Sequence, residues 1–364
     1  MKIKKMSVLY IVLGIIVTIS FFAVVFLNRP QFGKLPTGER LERIKKSAHY
    51  KNGEWQNEVP TKMMTGNGVA VILNYLFGSH PRTRPEKPVK SVKTDINSLP
   101  KDVDWMIWFG HSSYLLQLSG KRILVDPVLV SASPLPWFNK PYEGSDIYKP
   151  EDMPDIDYML ISHDHWDHLD YDTQMALRSR VAEVVVPLGV GEHFEYWGFP
   201  KEHITDLDWY EHKSFTDGFT FHQMPARHFS GRALKGNQAL WGSFVIESPD
   251  GKHIFVGGDS GYAPHFKKIG QRFPKMNLAI LENGQYDKTW AQIHTLPEQL
   301  PNVMDDLGAL QYVTVHHGKF CLSNHPWDEP LQNEKKAAQK TGSKLSVLEI
   351  GSVLYINSKD EYEK

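Results

Sequence analysis

The stretch His163-Asp164-His165-Trp166-Asp167-His168 constrains the fold of this 364-residue chain more than any other feature. It follows a strand-like apolar run at 157–162 and precedes a helix-like segment at 171–180. Side chains two apart in an extended segment point the same way, so His163 and His165 can grip one ion. Asp167 and His168 then fall in the turn into the helix, where they can face a neighbouring ion. Imidazole together with carboxylate suits zinc, and also iron or manganese. Asp170 and Tyr171 continue a loop-to-helix pattern, unlike a low-complexity histidine tract.

One loop cannot close two metal sites, so further ligands must come from other strand ends. His228 follows the strand-like run 219–224. Asp259 ends the run 252–258, where Gly257 and Gly258 allow close approach of the backbone. His316 and His317 end the run 311–315. Polar residues that terminate successive apolar strands mark the place where open α/β folds carry their chemistry.

Composition sets the outer limits. Hydrophobic residues make up 41% and charged residues 23%, enough for a sizeable core. Lysine and arginine (41) nearly balance aspartate and glutamate (42), which removes the electrostatic case for a nucleic-acid binder. Cys321 is the single cysteine, so neither an intramolecular disulfide nor a cysteine-rich zinc module is available.

From Asp104 onward, strand patterns come first: 105–109, 113–118, 122–126 and 157–162. Helix 171–180, strand 182–187, helix 190–198 and a hairpin around Asp217-Gly218 follow. Strands 239–248, 252–259, 277–282, 311–317 and 345–350 then alternate with helices 264–273, 296–307 and 328–340. This order predicts a layered α/β sandwich over residues 104–364. Residues 31–103 read as a linker and N-terminal extension. Within it 38–46 could form a short charged helix, and the apolar 68–77 could pack on the main domain or lie in a membrane interface. The cations Arg82, Arg84, Lys87, Lys90 and Lys93 read as a solvated linker, or else as a basic strip facing lipid phosphates.

Residues 1–30 read as a membrane anchor. Ser7–Leu27 carries no charge and, at about 1.5 Å per helical residue, can cross a hydrocarbon core of about 30 Å. A cleaved signal peptide is the competing reading, although the apolar run is long and no A-x-A site follows it. Lys2, Lys4 and Lys5 favour a cytoplasmic amino terminus, which places the main domain outside the cytoplasm.

The H-x-H-x-D-H motif with its later His, Asp and His resembles the five-part metal signature of the metallo-β-lactamase superfamily, from Trp105 to about Ile356. WFGHSSYLLQL, LISHDHWDHLDY, PARHFSGR, GGDSGYAPHFKKIGQRF and HTLPEQ with HHGKFCL resemble its branch of N-acylphosphatidylethanolamine-hydrolysing phospholipase D. The resemblance implies a four-layer αββα sandwich carrying a dinuclear zinc site. His163, His165 and His228 would bind one zinc; Asp167, His168 and His316 would bind the other; Asp259 would bridge them. The branch has one histidine followed by an aromatic residue and glycine where this chain has His316-His317-Gly318, so the choice between the two histidines stays open. Lys319 replaces the branch's threonine, a departure that bears on how an anionic substrate is held. Asp126 would orient a ligand histidine, with His111 and His317 also near the metals. Asp167 would steer a metal-bridged hydroxide, and His294 would face the substrate as a donor.

The implied activity is a zinc-dependent phosphodiesterase of phospholipase D type acting on N-acylphosphatidylethanolamine or a similar membrane phospholipid. A lactonase or other carbonyl hydrolase on the same site is the alternative, and a scaffold without turnover a third reading. A homodimer is open to the branch, and a nucleic-acid partner is not expected.

Overall fold

The computed structural model describes residues 2–135 and 137–356. Met1, Pro136 and the last eight residues of the expected 104–364 domain lie outside the described residues. The chain opens with helix α1 (Lys2–Leu27), then α2 (Gly38–Lys46), a ribbon of β1 (Tyr50–Lys51) and β2 (Glu54–Trp55), and α3 (Gly68–Phe77). The first half of the main domain contains β3 (Trp105–Trp108), β4 (Tyr114–Leu118), β5 (Lys121–Val125) and β6 (Ile156–Leu160). It continues with α4 (Tyr171–Leu177), β7 (Val181–Pro187), α5 (Gly191–Tyr196) and β8 (Ile204–Leu207). The second half contains β9 (His212–Ser214), β10 (Thr220–Met224), β11 (Ser243–Glu247), β12 (His253–Val256) and α6 (His265–Arg272). It ends with β13 (Leu278–Glu282), α7 (Leu300–Leu307), β14 (Tyr312–Val315), α8 (Glu329–Thr341) and β15 (Val353–Tyr355).

Among the described residues the strands form two large sheets, ordered β15-β3-β4-β5-β6-β7-β8 and β14-β13-β12-β11-β10-β9. Strands read as continuous apolar runs because both of their faces are buried. In β3, Met106 and Trp108 enter the core between the sheets, while Trp105 and Ile107 enter the core under the outer helices. In the second sheet Phe244, Ile254, Ile280 and Val313 face inward, whereas Val245, Phe255, Ala279 and Tyr312 face the layer of α6, α7 and α8. The result is the αββα sandwich.

Strand direction positions the site. β5, β6, β7 and β8 are mutually parallel, and β3 runs with them because β4 is antiparallel to both β3 and β5. By the same logic β10 runs with the parallel trio β12, β13 and β14. Strands β3, β5, β6, β10, β12, β13 and β14 therefore each deliver a carboxyl end to the edge where the histidines gather.

Several elements depart from the sequence reading. The helix expected at 171–180 ends at Leu177 and tightens into a 3₁₀ turn over Arg178–Arg180. The helix expected from residue 296 starts at Leu300, with Pro301 in its first turn, where its missing N–H costs nothing. The strand expected at 345–350 makes only isolated bridges, Tyr312 with Leu345 and Ser91 with Ile350, as it crosses from the edge of one sheet to that of the other.

Parts of the N-terminal extension, residues 31–103, pack on the main domain. Ile44 of α2 and Trp55 of β2 are buried with Leu188, Trp209, Leu240 and Trp241 of the main domain. The half-buried Arg40 holds Glu192 at 2.6 Å and Asp206 at 3.0 Å. Of the cations read as a lipid-facing strip, Arg82, Lys90 and Lys93 pair instead with Asp328, Glu349 and Asp152. α1 lies apart from these contacts. Its Tyr10–Leu27 window has a mean hydropathy of 2.7 and buries none of its residues in the protein.

Candidate active site

The loop after β6 brings His163 Nε2 to 2.9 Å from His165 Nδ1, and His228 Nε2 comes within 3.2 Å of the same atom. Beside this triad, Asp167 Oδ2 lies 3.4 Å from His316 Nε2 and 3.5 Å from His168 Nε2. Asp259 Oδ2 stands between the groups. It is 3.2 Å from His316, 3.3 Å from His168, 3.8 Å from His228 and 3.9 Å from His163. A side chain on Gly258 would lie 2.4 Å from the Gly242 carbonyl oxygen and 2.8 Å from Ser162 Cβ, so the approach of the β12 end to the β6 loop requires glycine there. His111 Nε2 joins the second group, 2.9 Å from Asp167 Oδ2.

Four imidazoles of the floor are held from behind. Asp126 accepts from Ser162 through N–H (2.7 Å) and hydroxyl (2.6 Å), and its Oδ2 is 2.8 Å from His168 Nδ1. Ser162 Oγ is 3.0 Å from His163 Nδ1. His228 Nδ1 faces the Ile293 carbonyl at 2.8 Å, and His316 Nδ1 faces that of Gly284 at 3.3 Å. His111, Asp126 and His316 all adopt positive φ (53°, 41° and 69°), a conformation costly for such residues and frequent at functional sites.

Electrostatics sort the protonation states. Burial and neighbouring imidazoles hold His163 well below the usual imidazole pKa, and burial does the same to His228. Burial alone would raise the Asp167 and Asp259 carboxyls, but the surrounding histidines hold both well below the usual range. Neutral imidazole and ionised carboxylate are the forms that bind metal; His168 is shifted the other way, because burial is outweighed by Asp259, Asp167 and Asp126, which raise it well above the usual imidazole range. His168 Nε2 and Asp259 Oδ1 are buried without a hydrogen-bond partner. Such atoms, converging with donor atoms within 4.8 Å of one another, fit a cation in each group.

A pocket of about 700 Å³ opens above this floor. Met63, Met64, Val71, Phe229, Trp290 and Leu322 form its apolar walls, while His165, Asp167, His228, Asp259, His294 and His316 reach it from below. His294 Nδ1 is 2.8 Å from Glu282 Oε2, whose other oxygen accepts from the N–H groups of Ser260 and Thr295. Burial would lower the His294 pKa, but Glu282, Asp259 and Asp167 raise it overall.

The N-terminal segment completes the site in two places. Asn57 clamps the backbone of His228: its Nδ2 donates to the carbonyl (2.8 Å) and its Oδ1 accepts from the N–H (3.1 Å). At the exit of α1, the Phe32 ring meets Trp166 edge-on at 5.1 Å. Arg232 stacks over Trp166 at 4.0 Å and donates to the carbonyls of Gln31, Asp164 and Leu169.

The structure also places the two residues at which this chain departs from the family pattern. His317 does not join the donor set: its ring packs at a tilt against Trp108, and Nε2 lies 3.2 Å from Thr314 Oγ1. It touches the site only through its carbonyl, which accepts from the His111 N–H at 2.8 Å. Lys319 does not line the pocket. It is buried, with Nζ donating to the Val128 carbonyl at 3.0 Å, near Asp146 at 3.4 Å.

Residues 121–317 match the β-lactamase superfamily domain, and an uncharacterised Mycobacterium tuberculosis protein is 36% identical over 309 residues, 80% of each chain. The chain belongs to the β-lactamase superfamily. Superfamily relatives include the N-acyl-phosphatidylethanolamine-hydrolyzing phospholipase D 1 of Caenorhabditis elegans, 28% identical over 59% of this chain and 64% of that protein. The mitochondrial enzyme of that name from Saccharomyces cerevisiae is 31% identical over 65% of this chain and 52% of its own. The metallo-hydrolase Igni18 of Ignicoccus hospitalis shares the fold, with a TM-score of 0.53 at 20% identity over 71% of this chain and all of its own. This superfamily member is accordingly a hydrolase with the metallo-β-lactamase fold.

Some residues that build the site of this member escaped the sequence reading. Glu282 ends strand β13, so the strand-end criterion that found Asp259 would have found it too. Ser162 and Arg232 sit inside motifs already singled out. Asn57 carries no local signal at all, because its partner is 171 residues away.

Proposed function

We propose that this hydrolase is a dinuclear zinc phosphodiesterase of phospholipase D type, cleaving N-acylphosphatidylethanolamine or a closely similar membrane phospholipid. The observation that carries this reading is the apolar pocket directly above the donor floor, beside the exit of a helix apolar and long enough to span a bilayer. The two phospholipase D relatives support the same substrate class. His163, His165 and His228 would hold one ion, Asp167, His168 and His316 the other, and Asp259 both. Bound zinc would supply Lewis acidity and an acidified water.

The chain's own residues supply the rest. Asp167 orients the attacking water toward phosphorus. His294, tied through Nδ1 to Glu282, keeps Nε2 for the pocket and delivers a proton to the leaving alkoxide. Water adds to phosphorus as the P–O bond to the N-acylethanolamine breaks, leaving phosphatidic acid. The apolar walls hold acyl chains and exclude bulk water. α1 would anchor the enzyme to the membrane that holds its substrate, with the domain outside the cytoplasm.

The test is hydrolysis by the full-length, zinc-loaded protein in mixed micelles, comparing N-acylphosphatidylethanolamine, bis(p-nitrophenyl) phosphate and a panel of lactones. Release of N-acylethanolamine and phosphatidic acid is expected, with lactones turned over at least tenfold more slowly. Faster turnover of lactones would transfer the site to the carbonyl-hydrolase reading.

A further inference from the structure

The surface around the pocket mouth is apolar to a degree that a domain surrounded by water does not need. α3 is the clearest case. Val71 turns into the pocket. Val69, Leu73 and Phe77, spaced i, i+4, i+8 on another stripe of the same helix, are 68%, 51% and 80% exposed. Trp137 and Phe138 extend from the loop after β5 with 66% and 51% exposure, and Leu234 from the loop after His228 with 87%. Large apolar side chains exposed in a group mark an interaction surface.

Contacts tie these features to the segments that line the opening. Met63, Met64 and Val71 wall the pocket on the α3 side. On the other side the exit of α1 is fixed to Trp166, between His165 and Asp167. Arg29, two residues beyond α1, donates to the Pro134 carbonyl at the base of the Trp137 loop. Arg84 reaches the Lys140 carbonyl at the other end of that loop.

Charge singles out the same face. The chain contains 42 aspartates and glutamates, yet residues 1–38, 59–85, 127–142 and 218–246 contain none. Those four segments supply α1 and its exit, α3 and its flanks, the Trp137 loop and the Leu234 loop. They retain cations, among them Arg29, Lys62, Arg84, Lys140 and Lys235. Exposed apolar side chains, with cations and without acids, complement an anionic phospholipid surface.

We infer that α3 and the Trp137 and Leu234 loops form a second membrane contact, laying the pocket mouth on the anionic bilayer surface that α1 enters. The inference rests on the anchor half of the proposed function and not on the identity of the scissile bond. Its consequence is that an acyl chain passes from the bilayer along α3 into the pocket without crossing water.

The experiment uses the full-length protein reconstituted through α1 into vesicles of phosphatidylcholine and phosphatidylglycerol, in a Cys321→Ser background. A fluorescent label is attached at Phe77→Cys or, as a control, at Thr216→Cys in the exposed turn before β10, at the end of that strand remote from the site. The label at position 77 is expected to be quenched severalfold more by a nitroxide high on the lipid acyl chain than the label at 216, and to be shielded from aqueous iodide. Equal iodide access at both positions overturns the inference.

A second measurement guards against local disturbance by the label. Leu73→Asp is expected to lower hydrolysis of bilayer substrate about tenfold while leaving hydrolysis of bis(p-nitrophenyl) phosphate unchanged. Undiminished bilayer activity in that variant contradicts the inference. Lipid quenching at position 77 in a protein that hydrolyses no diester would uphold the docking surface and refute the phosphodiesterase.

Discussion

The floor and the walls of the pocket are built by opposite means. On the floor, His163, His168, His228 and His316 each have a named partner behind the ring, and Asp259 stands centrally among them. On the walls, Met63, Met64, Val71 and Leu322 offer shape and apolar area only. The floor comes from strand ends of both sheets, whereas part of the wall comes from the segment that precedes the domain. The difference teaches that the donor geometry is fixed by directional contacts, while the space above it is shaped by apolar packing alone.

Substitutions can break that division, beginning with the largest effect. Asp259→Ala removes the carboxylate central to both groups and should lower activity on every substrate by on the order of 10³-fold or more, with loss of bound metal. Turnover and elemental analysis on the same sample check it. His294→Asn should retain metal and lower kcat by roughly 10²- to 10⁴-fold, the range for a missing general acid. A change confined to KM would show that His294 only binds.

Asn57→Ala tests the seam between floor and wall. Freed from its clamp, the His228 loop should lose about 10- to 100-fold in metal affinity or activity, as when other supports behind a metal ligand are removed. A competitive chelator titration reads it directly. Met63→Ala with Met64→Ala should raise KM for a long-chain lipid by roughly tenfold, the equivalent of about 1–2 kcal/mol of lost apolar contact. Hydrolysis of bis(p-nitrophenyl) phosphate should stay within twofold of the unsubstituted protein. Equal losses on both substrates would mean that wall and floor are not separable.

The smallest expected effect on activity comes from α8. Burial pushes the Glu334 carboxyl from its ordinary 4.5 up to about 7, and Oε1 has no partner there. A pKa raised by folding favours the protonated form, so this group's contribution to stability is intact below pH 4.5 and is lost as pH rises through 7. Glu334→Gln should therefore stabilise the protein at pH 8 by about 2–3 kcal/mol and change little at pH 4.5, with activity nearly constant. Thermal melts at the two pH values decide it.

The floor was legible in the sequence because each donor ends an apolar strand, and strands of one direction must bring their ends to one edge. His316 could not be separated from His317 on that basis, since adjacent residues share a strand end. Only the turn after β14, with His316 at φ 69°, sends one ring to the site and the other against Trp108. The walls were illegible for a different reason. Asn57, Met63 and Val71 reach the site through contacts distant in sequence, and a segment with many prolines reads as a linker until its docking partners Trp209 and Trp241 are seen. Lys319 shows the converse: a departure from a family pattern suggested a substrate contact, but its side chain points to Val128 and Asp146.

The most direct test of this account is the metal stoichiometry of the full-length protein, measured by elemental mass spectrometry after dialysis against zinc and then against metal-free buffer. Two equivalents of zinc per chain are predicted, with fewer than two in His228→Ala and in His168→Ala. A single equivalent, or none, in the unsubstituted protein would contradict the pairing of the two groups through Asp259.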